Sequence, residues 1–337
     1  MKKKKFDLSV ITRSKITWAV IAEILILLVC FIIRPDFFSI SIQKSTGVLY
    51  GSLIDIFNRS AEITIIAMGM TLAIALGGTD LSVGALVAVS GAMSLKLMRW
   101  DVLEYSTPGD YTVKPFWMAI LLPLTVCLLM GLFNGLLISK GGMQPFIATL
   151  ITMTAFRGIT MIFMNGKPIS SLGNSALLKF IGKGSVAGIP FPVILFVAVF
   201  ALFMFVLEKT TFGRRIYATG SNAVSAKLAG VNIDRTKLAA YAISGCMAAL
   251  SGLILLSRLS SAQPTLGDGY ELDAIASVAL GGTSMNGGRG RIWGTFVGVL
   301  IIAVLNNGLN ILGVSSYYQS VVKAVVILIA VLSDRKR

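Results

Sequence analysis

Apolar runs alternate with short polar breaks along almost the whole chain. Ten runs stand out, at 17–33, 60–77, 84–98, 116–138, 143–164, 190–207, 238–258, 272–286, 292–312 and 317–333. Several approach the twenty residues that a helix needs to cross ~30 Å of hydrocarbon. The runs at 84–98 and 272–286 are shorter, which predicts tilted, broken or partly inserted helices. The pattern predicts an all-α, polytopic membrane protein of about ten transmembrane helices. Residues 17–333 form one membrane domain, between a basic tail (1–16) and a short tail (334–337).

One polar break differs from the rest. Between Phe212 and Lys237 the chain reads FGRRIYATGSNAVSAKLAGVNIDRTK, basic through Arg214 and Arg215, with membrane segments on either side. Gly220 or Ser221 is expected to cap a short helix running through Asn222, Ala223, Ala226 and Ala229, and Gly230 to end it. Such a helix offers a surface against which another protein can push. A solvated connecting loop is the other reading, and the residues alone leave both open.

Composition agrees with the membrane reading. Of 337 residues, 55% are hydrophobic and 13% charged, and the mean hydropathy is +0.83, more apolar surface than a soluble fold hides. The net charge of +15 then marks sidedness rather than nucleic acid, since no aromatic-interleaved basic stripe accompanies it. With the N-terminus in the cytoplasm, inside segments carry 18 Lys and Arg and outside loops carry 8, so both termini are expected to be cytoplasmic. Loop 208–237 then faces inward, and 34–59, 99–115, 165–189 and 259–271 face outward. The first run follows MKKKKFDLSV without a small-residue cleavage site, as expected of a retained span. Cys30, Cys127 and Cys246 sit in apolar runs, and histidine is absent. No metal site and no nucleophile–base arrangement is therefore expected. A GxxxxGK[ST] loop is also missing, so the chain does not bind ATP in that mode.

Small residues four apart, at Gly131 and Gly135, at Ser244, Ala248 and Gly252, and at Gly290, Gly294 and Gly298, predict close helix packing. Charges within spans each need a partner or water. Glu23 lies in the first span and Glu62 at the start of the second, while Lys96 and Arg258 lie near span ends, where they can snorkel. Arg157 and Lys323 lie deeper, as pathway groups or as structural ion pairs and carbonyl caps. Asn134, Gln144, Asn306, Asn307 and Asn310 are further pathway candidates, neutral as a polar uncharged cargo would require. Gly77, Gly78, Asp80 and Gly84 form an expected sharp turn, in which Asp80 caps the third span. Ala75-Leu76-Gly77-Gly78-Thr79 returns as Ala279-Leu280-Gly281-Gly282-Thr283, a partial internal echo.

Long stretches carry a resemblance. RLSSAQPTLGDGYELDAIASVALGGTSMNGGRGRIWGT (258–295), LNNGLNILGVSSYYQSVVKAVVILIAVL (305–332), MGMTLAIALGGTDLSVGA (68–85), QPFIATLITMTAFRG (144–158) and TFGRRIYATGSNAVSAKLAGVNI (211–233) resemble the membrane permeases of bacterial ABC importers for monosaccharides. The C-terminal third is most similar to the ribose type. STGVLYGSLIDIFNRSA (45–61) is closer to the galactofuranose type, and the family's usual Gly-Gly-Ile-Asp reads Gly77-Gly78-Thr79-Asp80 here. The resemblance implies a permease pair around a central pathway, a cytoplasmic ATPase that uses ATP and Mg on each cytoplasmic face, and an extracytoplasmic sugar-binding protein. It also implies that helix 221–230 couples to the ATPase. A gradient-driven carrier working through Glu23 or Glu62 is the competing class, and a membrane enzyme a remote one.

Overall fold

A computed structural model describes residues 24, 27–32, 35–43, 47–98, 116–170 and 176–334. Most of the expected first span, Glu23 included, and all of 99–115 lie outside the described residues. Twelve α-helices follow in the described chain: α1 Ser52–Ala75, α2 Val83–Met98, α3 Phe116–Ser139, α4 Pro145–Phe163, α5 Ala176–Lys183, α6 Phe191–Lys209, α7 Thr211–Ser221, α8 Ala223–Leu228, α9 Ile233–Leu259, α10 Tyr270–Leu280, α11 Ile292–Ile311 and α12 Ser316–Asp334. Among the described residues, α3, α4, α6, α9 and α11 are long and apolar enough to cross a membrane.

Three expectations need correction. The second run starts at Ser52 rather than residue 60, because Asp55 and Arg59 pair at 2.8 Å one turn apart and carry the helix through a polar stretch. The run at 272–286 is broken, as its short length predicted, but with other limits. α10 stops at Leu280, where Gly282 turns the chain at φ +80°, and its 11 residues rise only about 16 Å. The stretch 165–189, expected as a plain loop, contains the amphipathic helix α5.

The core is built around α1 and α9. From Ser60 to Ala75, α1 is buried on every side. α9 packs on α1, α2, α3 and α5, and α1 also meets α6, α10 and α11. Small residues let these backbones touch. A β-carbon on Gly131 of α3 would collide with the Tyr241 carbonyl of α9, and one on Gly245 with the Cys127 carbonyl of α3. Gly294 and Gly298 of α11 are pressed in the same way against the carbonyls of Gly281 and Ser277. Lipid drives helices together through such contact rather than through hydrophobic burial.

The connections gather at two ends. At one end, β3 (Ile169–Ser170) pairs antiparallel with β6 (Ser261–Ala262), with Ile169 opposite Ala262. There the Leu49 amide donates to the Gly188 carbonyl at 2.9 Å. At the other end the Gly288 amide donates to the Ala75 carbonyl at 2.9 Å, and the Tyr217 hydroxyl to the Gly290 carbonyl at 3.1 Å. Loops that the charge count assigns to one side thus share an end. The two halves of the internal echo both close with the glycine-turned cap that follows a helix, but one residue out of register. Gly77 and Gly282, at φ +85° and +80°, occupy equivalent places, whereas the sequence echo aligns Gly77 with Gly281.

Gly131→Val forces α3 away from α9 and is expected to cost about 1–3 kcal/mol. Thermal unfolding in detergent, with Gly158→Val of α4 as the control at a helical position where a β-carbon meets nothing, checks this.

Candidate functional site

The basic loop folds as two short helices. Thr210 caps α7 by accepting from the Gly213 amide at 3.4 Å, and Arg214 and Arg215 lie exposed on it. The cap of α8 is Asn222, not Ser221 or Gly220: its Oδ1 accepts from the Ser225 amide at 2.9 Å. Gly220 instead lets α7 touch α1, since a β-carbon there would overlap the Ala75 carbonyl. Ser221 ends α7 and lies against Gly288. α8 runs to Leu228, Ala229 follows as its C-cap, and Gly230 turns the chain at φ +83°. Ala223 and Ala229 are exposed, while Ala226 is the one buried residue of α8. The protruding groups are Val224, 70% exposed, and Leu228, 85% exposed. They form an exposed apolar pair one turn apart on α8, which also carries Lys227, while Arg214 and Arg215 are exposed on α7. Against the body, burial and then the Glu208 charge push the Tyr217 phenol above its usual range.

The turn after α1 is a buried polar lock. Gly77 takes the positive φ, and Gly78 leaves room for Tyr241 and Pro145, either of which a β-carbon would strike. Asp80 does not cap α2. It lies two residues before Ser82, the residue that precedes the helix, and accepts from the Ser82 amide at 3.1 Å and hydroxyl at 2.6 Å. Its other oxygen accepts from Ser244 of α9 at 2.7 Å. Asn134 of α3 donates to the Ser82 hydroxyl at 2.7 Å, so this pathway candidate holds the turn. Gly84 lies within α2 rather than in the turn, and faces the Glu271 carboxylate.

The remaining pathway candidates separate. Gln144 is an exposed residue ahead of α4. Arg157 donates to the carbonyls of Pro264 and Leu266, at 2.9 and 2.8 Å, and approaches Asp268 at 4.0 Å. Asn306, Asn307 and Asn310 lie on α11 and Lys323 on α12. Gln319 donates to Asn310 at 2.9 Å and Lys323 meets Asp273 of α10 at 2.8 Å. The Oδ1 atoms of Asn306 and Asn307 are buried without a partner.

Sequence reasoning missed two features. Glu62 does not begin its span. It sits fully buried, 0% exposed, in the middle of α1 and pairs with Arg258 at 2.8 Å, so Arg258 reaches inward instead of snorkelling. Lys96, by contrast, donates to the Phe163 carbonyl at 2.8 Å and lies over its ring. The second feature is the pair of carboxylates in the first turn of α10, Glu271 and Asp273, both buried. The signal was present, since Gly267, Gly269, Glu271 and Asp273 stand together just before and at the start of the apolar run 272–286, as in discontinuous transport helices.

The comparisons with known proteins decide what this bundle is. The family model described as "Branched-chain amino acid transport system / permease component" matches residues 52–331. The chain belongs to this permease family. The ribose import permease of Bacillus subtilis (strain 168) is 50% identical over 286 residues, 85% of each chain. That of Escherichia coli (strain K12) is 42% identical over 321 residues, 95% of this chain and 93% of its own. The galactofuranose transporter permease of the same organism is 38% identical over 318 residues, 94% and 89% of the two chains. No solved structure matches. The protein is a multi-pass inner-membrane permease subunit of an ABC importer, and its role is translocation.

Removing one partner of a buried ion pair strands the other. Arg258→Leu is therefore expected to cost about 3–5 kcal/mol, and Glu62→Leu with Arg258→Leu to recover most of that. Thermal unfolding of the singles and the double variant reads the coupling.

Proposed function

We propose that the chain is the permease of an ATP-driven ribose importer. The observation that carries this reading is the 50% identity to a ribose import permease over 286 residues. Residues 17–333 form the single membrane domain, with ten membrane segments, one of them the half-length α10. The tails 1–16 and 334–337 lie in the cytoplasm with loop 208–237. Two copies of the chain enclose the pathway, and a sugar-binding protein docks on the opposite face, against 34–59, 165–189 and 259–271.

Coupling runs through α7 and α8. The apolar pair Val224 and Leu228 enters a cleft of the ATPase subunit, and Arg214, Arg215 and Lys227 belong to the same docking surface. Asn222, Ala223, Ala226, Ala229 and Gly230 shape the helix, and Gly220 and Ser221 bind it to Ala75 and Gly288. Movement of α8 is thereby delivered to α1, the centre of the bundle. ATP and Mg belong to the ATPase, and this chain binds no cofactor. A gradient-driven carrier is disfavoured because Glu62 is committed to Arg258.

The test is ATP hydrolysis by the chain reconstituted in lipid with an ATPase subunit and a sugar-binding protein. Ribose is expected to stimulate it, with galactofuranose weaker. Stimulation by galactofuranose alone would move the assignment to that sugar, and dependence on a proton or sodium gradient would end it. Ala226→Pro breaks α8 and is expected to abolish stimulated hydrolysis while the chain still inserts. Normal coupling in that variant removes the docking role.

A further inference from the structure

Two helices of this bundle begin inside it. α10 rises about 16 Å, roughly half of the ~30 Å of hydrocarbon. The segment before it, 260–269, is non-helical yet buries Ala262, Pro264, Leu266 and Gly267. Backbone of this kind survives at membrane depth only where protein or water satisfies it, and Arg157 supplies two of the missing donors. α2 likewise starts from the buried residues Asp80, Leu81 and Ser82.

The first turns of these two helices meet at Glu271. One carboxylate oxygen accepts from the Gly269 amide at 3.2 Å. The other, Oε2, lies against Gly84 in the first turn of α2, where any β-carbon would overlap it. Glu271 is 8% exposed, and Oε2 has no hydrogen-bond partner. Two residues on, Asp273 accepts from Lys323 of α12 at 2.8 Å. Between the two carboxylates Leu272 is 52% exposed, so one edge of the turn opens out of the bundle. An unsatisfied buried acceptor and an ion pair with side chains 24% and 7% exposed are both expensive to hold at membrane depth. They fit a surface that meets polar cargo.

We propose that the first turn of α10 is the contact point for the sugar midway across the membrane. Glu271 Oε2 accepts one sugar hydroxyl, and Asp273 with Lys323 offers an acceptor and a donor to its neighbours. A neutral, hydroxyl-rich solute is the class that fits. The Asp273–Lys323 pair brings no net charge of its own and offers directional hydrogen bonds. Gly84 is required because it admits the Glu271 carboxylate. The inference rests on the sugar-import reading above.

The experiment uses the complete reconstituted complex and measures ribose uptake and ATP hydrolysis in parallel. Glu271→Gln keeps the shape of the side chain and weakens its acceptor, and is expected to lower ribose moved per ATP about tenfold. An unchanged ratio overturns the proposal. Should that variant fail to assemble, Leu272→Cys, in a chain with Cys30, Cys127 and Cys246 replaced, gives a second readout. A charged methanethiosulfonate is expected to label it several-fold faster than Leu202→Cys on α6, a control of similar exposure (55%). Equal rates in a complex that ribose stimulates overturn the site and leave the importer reading standing. An original complex that no sugar stimulates overturns both.

Discussion

Hydrocarbon offers no hydrogen bonds, and that constraint governs this bundle more than any single contact. Each helix satisfies its own backbone, but the turn 76–82 and the segment 260–269 do not. Asp80, Ser82, Asn134 and Ser244 close the first break, and Arg157 caps carbonyls in the second. α1 and α9 can be buried at the centre only because these polar groups are answered from neighbouring helices. Glycine contacts then bring the backbones close enough for the answers to reach.

The same constraint separates structure from function among the polar residues. Asn134 and Arg157 are occupied in holding irregular backbone. Glu62 is occupied by Arg258. Glu271 Oε2, Asn306 Oδ1 and Asn307 Oδ1 are buried with no hydrogen-bond partner, and in the Asp273–Lys323 pair Lys323 keeps 24% of its side chain exposed. These groups lie on α10, α11 and α12, whereas α7 and α8 attach to the far end of α1.

Much of this was legible in the sequence because apolar length is a strong signal. The limits of α3, α4, α6 and α11 lie within a few residues of the apolar runs, and the small-residue faces of α3, α9 and α11 pack as their spacing required. The misses have physical causes. The polar start of α1 hides its first two turns, since Asp55 and Arg59 read as loop until they are seen to pair. Asn222 caps α8 because its backbone is extended there, a property that its neighbours Gly220 and Ser221 do not announce. Ala226 is the buried residue of α8, and the exposed apolar surface belongs to Val224 and Leu228. Hydropathy averaged Asp273 into the apolar run 272–286 and left Glu271 in the loop before it, which concealed a half-length helix with a charged first turn.

The account stands most directly on where the ATPase binds. A cryo-electron microscopy map of the chain in a lipid nanodisc, assembled with its ATPase and sugar-binding protein, reads this in one measurement. The account predicts that Val224 and Leu228 of α8 are covered by the ATPase, with β3 and β6 on the opposite face toward the sugar-binding protein. An ATPase seated elsewhere, with α8 free in solvent or lying on lipid, would contradict it.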